Sequence, residues 1–464
     1  MTQNFKKELG SLLKPYPRVN KIVALINQEG GRALLVGGAV RDIMLGLKSK
    51  DIDIEVYALT TQQLQTVLEQ FGTVDLVGKS FGVLRIRGLD IDWSLPRTDS
   101  EGRKPRVIVD PHMPFKKSFA RRDLTINAMG IDLITGQLID PFNGQYDLEH
   151  RILRVPDPTL FIQDPLRFFR VMQFISRFGM SPDAQLNKIA ATMSLNAISI
   201  ERIEMEFNKL MLKSAHPSWG IRWLKHVKRL HEILPELAAT IDVPQPLPYH
   251  PEGDVFEHTM QALDASSTIS YQDVDEQLIC MYAVLCHDLG KAVTTSIKGD
   301  RITSYNHAKE GVALTKAMLK RIMTHKERIA CVVRLVEYHM APLTFIKGGA
   351  KTPAYKRLAL KLAPCATIEM VSKVAIADRR GRNPDGHEPL TTTSPDIIKF
   401  IAKAKRADVY QKIEQPILQG RDLLDVVKPG PQLGELVDYA YQLQIEQGIK
   451  DKQELKKLVL KKLT

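Results

Sequence analysis

Asp51 and Asp53 in "GLKSKDIDIEVYAL" alternate with Ile52, Ile54 and Val56. A period of two marks a strand with one buried face, and on it the two carboxylates project side by side, roughly 7 Å apart. Such a pair is either the solvated side of an ordinary strand or a seat for a divalent cation. Just upstream, "LLVGGAVRD" (34–42) runs from an apolar strand through Gly37 and Gly38 into a helix bearing Arg41 and Asp42. Paired glycines admit a ligand to the backbone, and a helix N-terminus offers unpaired N–H groups to phosphate. A phosphate seat ahead of two same-face carboxylates suits nucleotidyl transfer. Mg²⁺ takes one or two carboxylates together with phosphate oxygens, and a two-ion site steadies both the attacking hydroxyl and the departing pyrophosphate. "LDIDWSLPRT" supplies a third carboxylate on another strand, Asp92 in preference to Asp90. Glu55, two residues beyond Asp53, is assigned to solvent.

A second group lies in "QDPLRFFRVMQF". Asp164 followed by Pro165 is a helix start, with Asp as the cap and Pro at the first helical position. Asp164 and Arg167 fall three apart on one helix face and together offer one acceptor and several donors. Cytosine and adenine each present an amino donor beside a ring-nitrogen acceptor, whereas uracil and guanine present the reverse. The pair therefore selects C and A with no nucleic-acid template.

Histidines form the third group. His258 ("DVFEHTM"), His287 and Asp288 ("LCHDLGK") and Asp378 ("VAIADRRGR") reproduce the H…HD…D pattern of HD-domain phosphohydrolases. Two imidazoles and two carboxylates suit a divalent transition metal such as Ni²⁺, Mn²⁺ or Co²⁺ better than Mg²⁺. Such a metal lowers the pKa of a bound water for attack on a phosphate ester. His307 and His339 either complete a second metal position, contact phosphate, or are ordinary surface histidines, and Lys291 is placed to neutralise substrate phosphate.

The elements that must carry these groups divide the chain into four: a mixed helix-and-strand head (1–145), a helical neck (146–245), a helical domain (250–385) and a helical tail (386–464). The expected fold class is α+β, a small mixed sheet followed by all-α parts. Proline-dense "IDVPQPLPYHPEGD" reads as the clearest domain boundary, and residues 102–119 as a polar, proline-containing loop. The 464 residues are 44% hydrophobic and 25% charged, an ordinary globular composition. A net charge of +12 favours a polyanionic partner, and Trp219 and Trp223 among Arg222, Lys225, Lys228 and Arg229 could stack bases and meet phosphates. Four cysteines without a CxxC pair fit reduced thiols. With no apolar run of signal or membrane-span length, a cytoplasmic location and no membrane partner are expected.

In order and spacing, "LLVGGAVRDIMLGLKSKDIDIEV", "RRDLTINAM" (121–129) and "DPLRFFR" (164–170) resemble the class II tRNA nucleotidyltransferases, the CCA-adding enzymes and their poly(A) polymerase relatives. The resemblance implies a nucleotidyltransferase head with Asp51 and Asp53 binding Mg²⁺ and Asp92 assisting. It also implies nucleotide contacts from Gly37, Gly38, Arg41, Asp42, Arg122, Asp123, Asn127 and Arg170, with Asp164 and Arg167 selecting the base. An HD domain after such a head resembles bacterial CCA enzymes that carry a phosphohydrolase. The expected activity is CCA addition to tRNA from CTP and ATP. The family usually has Glu where Gln163 stands, and often Arg where Gln173 stands. The rivals are a poly(A) polymerase, an enzyme limited to CC or A addition, and an HD phosphodiesterase with an inactive head. "LVGKSFGVLRI" partly resembles a poly(A) polymerase feature, but its Ser80 and Arg85 do not fit, and intact Asp51, Asp53, Arg122 and Asp164 argue against an inactive head.

Overall fold

The computed structural model describes residues 4–49, 51–77, 82–99, 107–196, 198–386 and 388–462. Two compact units emerge, Met1–Ile198 and Ser199–Thr464, each described by itself.

The first unit is built on a seven-stranded mixed sheet. Its first five strands are β1 (Arg32–Val36), β2 (Asp53–Tyr57), β3 (Val74–Val77), β4 (Val83–Ile86) and β5 (Asp92–Ser94). Their order is β3-β4-β5-β2-β1, followed by Gly130–Asp132 and Leu138–Ile139. Every pairing is antiparallel except β2 with β5. Ala33 and Leu35 of β1 and Ile54 and Val56 of β2 join Ile22, Ile26, Leu64 and Leu68 from two covering helices in the main core. The opposite face carries a smaller apolar cluster, Leu34, Val36, Tyr57 and Phe119. Central strands are thus covered on both faces, which corrects the one-sided strand expected from the alternation. Strand β2 begins at Asp53, so Asp51 and Ile52 precede it.

The stretch expected to be a loop holds a strand, Val107–Val109, paired with Arg97–Asp99, and a helix, Phe115–Ala120. Its Gly102–Arg106 portion lies outside the described residues, as does Ser80. The "DPLRFFR" helix spans Leu166–Phe178 with Pro165 at its cap position. It starts one residue later than expected, although the Leu166 N–H still donates to Asp164 Oδ1 at 3.2 Å.

The second unit is helical apart from one hairpin, Thr295–Lys298 with Arg301–Ser304, which the all-α expectation missed. Beyond its acidic first turn, helix Val274–Cys286 is apolar on all sides and buried throughout Leu278–Cys286, as a central core helix must be. Around it pack Val255–Ser267, Lys326–Tyr338 and Ile368–Arg380. The proline-dense segment read as a boundary lies inside this unit. Asp254 caps the helix Val255–Ser267 through Oδ1 and accepts from the Asp242 N–H through Oδ2, pinning both ends of the segment. The tail has its own apolar cluster, including Leu418, Leu436, Leu455 and Val459. Contrary to the sequence reading, the stretch Lys326–Lys347 is long and apolar enough to cross a membrane. Its Cys331, Val332, Leu335 and Val336 are buried in the protein core, as in a soluble core helix.

Because Ile54 is fully buried between the sheet and its helices, Ile54→Ala should destabilise the first unit by about 3 kcal/mol. Urea denaturation followed by a first-unit probe measures this; an unchanged midpoint would contradict the packing described.

Candidate active sites in the two units

The parallel pairing of β2 with β5 sets Asp53 directly opposite Asp92. Asp51 sits exposed just ahead of β2, so three carboxylates gather at one end of the sheet. Burial pushes the Asp53 carboxyl above its ordinary range; Arg122 opposes this, and the charges of Asp92 and Asp51 reinforce it. Arg85 on β4 donates to Asp92 Oδ1 from Nε at 2.7 Å, while Asp90 points to solvent. Gly37, at φ 75°, ends β1 beside this group. A Cβ there would lie 2.7 Å from Arg122 Nη1 and 3.9 Å from Asp53 Oδ2. Glycine is therefore what lets the Arg122 guanidinium lie against the backbone at the carboxylates.

Glu55 was expected in solvent, and the structure reverses this: its side chain is 1% exposed. The helix Phe115–Ala120 covers that face of the sheet, which alternation within β2 could not reveal. Tyr57 Oη and Ser118 Oγ donate to Glu55 Oε1 at 2.5 and 2.6 Å, and Arg121 Nη2 donates to Oε2 at 3.0 Å. Arg122 Nη2 lies 3.7 Å from the same oxygen. Burial works against this charge, but Arg122, Arg121, Ser118 and Tyr57 together hold the carboxyl below its usual range. Glu55 thus acts as an internal anion that places Arg122 between itself and Asp53.

From here a polar chain runs to the helix Leu166–Phe178. Arg41 binds Asp42 Oδ1 through Nε and Nη2 and donates from Nη1 to Asn127 Oδ1 at 2.6 Å. Asn127 Nδ2 donates to Asp123 Oδ1 at 2.9 Å, and Arg170 Nε donates to Asp123 Oδ2 at 2.6 Å. The Phe174 ring lies under both the Arg41 and the Arg170 guanidinium. Thus Arg41, Asp42, Asp123, Asn127 and Arg170, expected as separate nucleotide contacts, form one network, with Arg41 and Asp42 buried in it. Arg167 donates to the carbonyls of Leu160 and Arg121. Together with Gln163, Lys116, Lys117 and Arg121 it lines a cavity of about 610 Å³; a cavity of about 410 Å³ lies beside His339 in the second unit.

In the second unit four imidazoles converge on Asp288. Its Oδ2 lies 3.7 Å from His258 Nε2 and 3.2 Å from His287 Nε2. Its Oδ1 lies 3.4 Å from His307 Nε2 and 4.0 Å from His339 Nε2. Asp378 Oδ1 is 3.1 Å from His258 Nε2. His287, His307 and His339 direct Nδ1 to the carbonyls of Val284, Ser304 and Val336, at 2.7, 2.8 and 2.7 Å. A carbonyl only accepts, so each Nδ1 carries the proton and each Nε2 faces the centre as a lone pair, the arrangement of metal-ligating histidines. Burial, with His287 and His307 alongside, pushes His339 down to about 3 and keeps it neutral. His307 and His339 are buried here, which removes the surface-histidine alternative. Lys291 Nζ sits on Asp288 Oδ2 at 2.7 Å and donates to Gln245 Oε1 at 2.7 Å. A Cβ at Gly290 would stand 2.0 Å from the His307 carbonyl oxygen. That glycine permits the close approach which brings His287–Asp288 to His307.

Residues 33–154 match the poly(A) polymerase head domain, and residues 179–241 match the probable RNA- and SrmB-binding site of polymerase A. The multifunctional CCA protein of Mannheimia succiniciproducens is 32% identical over 400 residues, covering 82% of this chain and 91% of that protein. Its counterpart from Pseudomonas syringae is 31% identical over 415 residues, covering 85% and 95%. The chain belongs to the class II CCA-adding enzyme and poly(A) polymerase family. In fold it is similar to the Thermotoga maritima CCA-adding enzyme solved with tRNA, at TM-score 0.61 and 19% identity, with all of both chains covered. The Bacillus stearothermophilus CCA-adding enzyme solved with CTP gives TM-score 0.62 at 19% identity, covering 100% of this chain and 98% of that one.

Of the two departures from the family pattern, Gln163 is exposed at the basic cavity and Gln173 is buried in the helix. Within the basic tryptophan segment, Trp223 is core, while Trp219 is 37% exposed and stacks on His216. Arg222 is paired with Glu257. Sequence reasoning missed Glu55, Arg121, His250 and Glu252. The last two lie in "HPEGD", where the only local signal is the capping Asp254 that follows.

Burial opposes the charge of Asp123, yet Arg170 and Asn127 hold its carboxyl down to about 2. A lowered folded pKa stabilises above the unfolded value, near 3.9, and that stability is lost as pH falls through the folded value. Asp123→Asn should therefore cost about 2 kcal/mol at pH 7, with the deficit narrowing as pH is lowered from about 4 towards about 2. Urea midpoints at both ends of that range test this; a pH-independent deficit would contradict the ion-pair origin.

Proposed function

We propose that this chain adds C, C and A to tRNA 3′ ends from CTP and ATP, without a nucleic-acid template. The observation that carries the reading is the in-register approach of Asp53 and Asp92 beside Gly37 and Arg122. The exposed Asp51 and Asp53, set opposite Asp92 by the strand register, fit Mg²⁺, which accepts few carboxylates and keeps its remaining positions for phosphate oxygens. Mg²⁺ held there supplies charge neutralisation for hydroxyl attack and pyrophosphate departure. The protein's part is positioning. Gly37 and Gly38 admit the triphosphate to the backbone, Arg122 meets its charge, and the Asp123–Asn127–Arg170 network fixes the helix that carries Arg167 and that Asp164 precedes. Asp164 would accept the amino proton of cytosine or adenine, and Arg167 would donate to the neighbouring ring nitrogen. The similarity to curated multifunctional CCA proteins along most of both chains supports tRNA as acceptor. The four-part division at 145, 245 and 385 and a cytoplasmic setting belong to the same reading.

The second unit supports a metal-dependent phosphohydrolase of the HD type, acting on phosphate ends of nucleotides or RNA. His258, His287, Asp288 and Asp378 would hold one divalent transition metal (Ni²⁺, Mn²⁺ or Co²⁺). Asp288, His307 and His339 would hold a second, with Asp288 giving one oxygen to each. The donor set fits: four imidazoles and two carboxylates face one another, and His287, His307 and His339 already make their orienting hydrogen bonds. Metal bound there supplies an activated water for attack on the ester phosphorus. The cavity beside His339 and Asp378 is also lined by Arg379 and Arg382, cations suited to holding phosphate.

The test supplies labelled CTP or ATP with tRNAs ending before CCA, tRNAs ending in CC, or an oligo(A) primer, and sequences the product ends. One CCA on the tRNAs and no extension of oligo(A) is expected. Long A tails on every RNA would overturn the tRNA assignment. Asp53→Ala should lower addition at least 10³-fold, about 4 kcal/mol of transition-state stabilisation, while metal-dependent phosphate release continues. His287→Ala should do the converse, and loss of both activities in either variant would contradict two independent sites.

A further inference from the structure

We propose that Glu252 is a positioning residue which sets the orientation of His258 at the metal centre. The proposal rests on the metal-centre reading of the second unit. Three of the four converging imidazoles share one device: His287, His307 and His339 each donate from Nδ1 to the carbonyl three residues earlier. Backbone geometry alone orients those rings. His258 departs from the pattern. The corresponding carbonyl, that of Val255, accepts from Thr259 Oγ1 at 2.8 Å. His258 Nδ1 instead faces Glu252 Oε1 at 2.6 Å.

Glu252 comes from the proline-dense segment ahead of the helix, and its side chain is fully buried, as is that of His258. The same Oε1 lies 3.0 Å from His250 Nδ1, and the His250 ring stands edge-on to His258 at 4.7 Å between centroids. A buried carboxylate needs polar partners: His250 Nδ1 hydrogen-bonds it, and His258 Nδ1 stands 2.6 Å from it. In return, a carboxylate at that distance holds the ring with Nδ1 towards Glu252 and Nε2 towards the centre. His258 Nε2 is the nitrogen 3.1 Å from Asp378 and 3.3 Å from His287 Nε2. Glu252 therefore acts on the His258–His287–Asp288–Asp378 position, while His307 and His339 keep their own carbonyls.

The test is a Co²⁺ titration of the full chain carrying Asp53→Ala, so that the first unit's carboxylates do not contribute, read by visible absorption. Glu252→Ala should weaken Co²⁺ binding 10- to 100-fold. Glu252→Gln, which keeps an acceptor oxygen but no charge, should fall between it and the parent. Ring ¹⁵N shifts of His258 in the metal-free protein should show Nδ1 protonated in the parent and in Glu252→Gln, and a tautomer mixture in Glu252→Ala. The His287→Ala protein separates the two claims. If it binds Co²⁺ as tightly as the parent, the metal-centre reading fails. If it loses binding while both Glu252 variants, shown to be folded by circular dichroism, bind like the parent, only the positioning role of Glu252 is overturned.

Discussion

The first unit depends on holding Asp53 and Asp92 side by side, against their mutual repulsion, by the parallel register of β2 and β5. Strand pairing fixes that distance through backbone hydrogen bonds, so the carboxylates cannot relax apart without breaking the sheet. Much of the nearby chemistry manages the resulting charge. Arg85 takes one side of Asp92, and Arg122 lies between Asp53 and the buried Glu55. Gly37 has no side chain because Arg122 occupies the space where one would be. The network through Arg41, Asn127, Asp123 and Arg170 then ties this edge of the sheet to the helix bearing Arg167. Charge-assisted hydrogen bonds of this kind are directional as well as strong, which suits a site that must position a nucleotide.

The second unit meets a similar problem with different donors. Four imidazoles gather around Asp288, and to hold a metal each would have to turn a ring nitrogen to the centre. Three do so through carbonyls of their own chain segments, and Asp288 offers one oxygen to each pair of rings. The helix Val274–Cys286, buried throughout Leu278–Cys286, delivers His287 and Asp288 to this point. Its burial fixes their position, because a closely packed core helix cannot shift without opening cavities.

The α+β class, the paired Asp51 and Asp53, the glycine turn and the histidine set were legible because each rests on local spacing. The fate of Glu55 was not. Its neighbours Ser118, Arg121 and Arg122 arrive from more than sixty residues away, and strand periodicity carries no record of what later covers the opposite face. Arg41 and Asp42 were legible as functional types, but their partners Asn127 and Phe174 are non-local. Residues 241–254 read as a domain boundary because of their proline density, which carries no record of the bonds from Asp254 to Asp242 and to the following helix. Likewise, His307 and His339 could be named from sequence, but their pairing on one oxygen of Asp288 needed the close approach at Gly290.

The central claim is that the chain carries two independent cation centres, one of carboxylates and one of imidazoles with carboxylates. Mn²⁺ binding followed by electron paramagnetic resonance tests it most directly, on the parent chain, on Asp53→Ala and on His287→Ala. The account predicts two classes of bound Mn²⁺, with Asp53→Ala removing only the first and His287→Ala weakening only the second. A single class of site, or either substitution abolishing both, would contradict it.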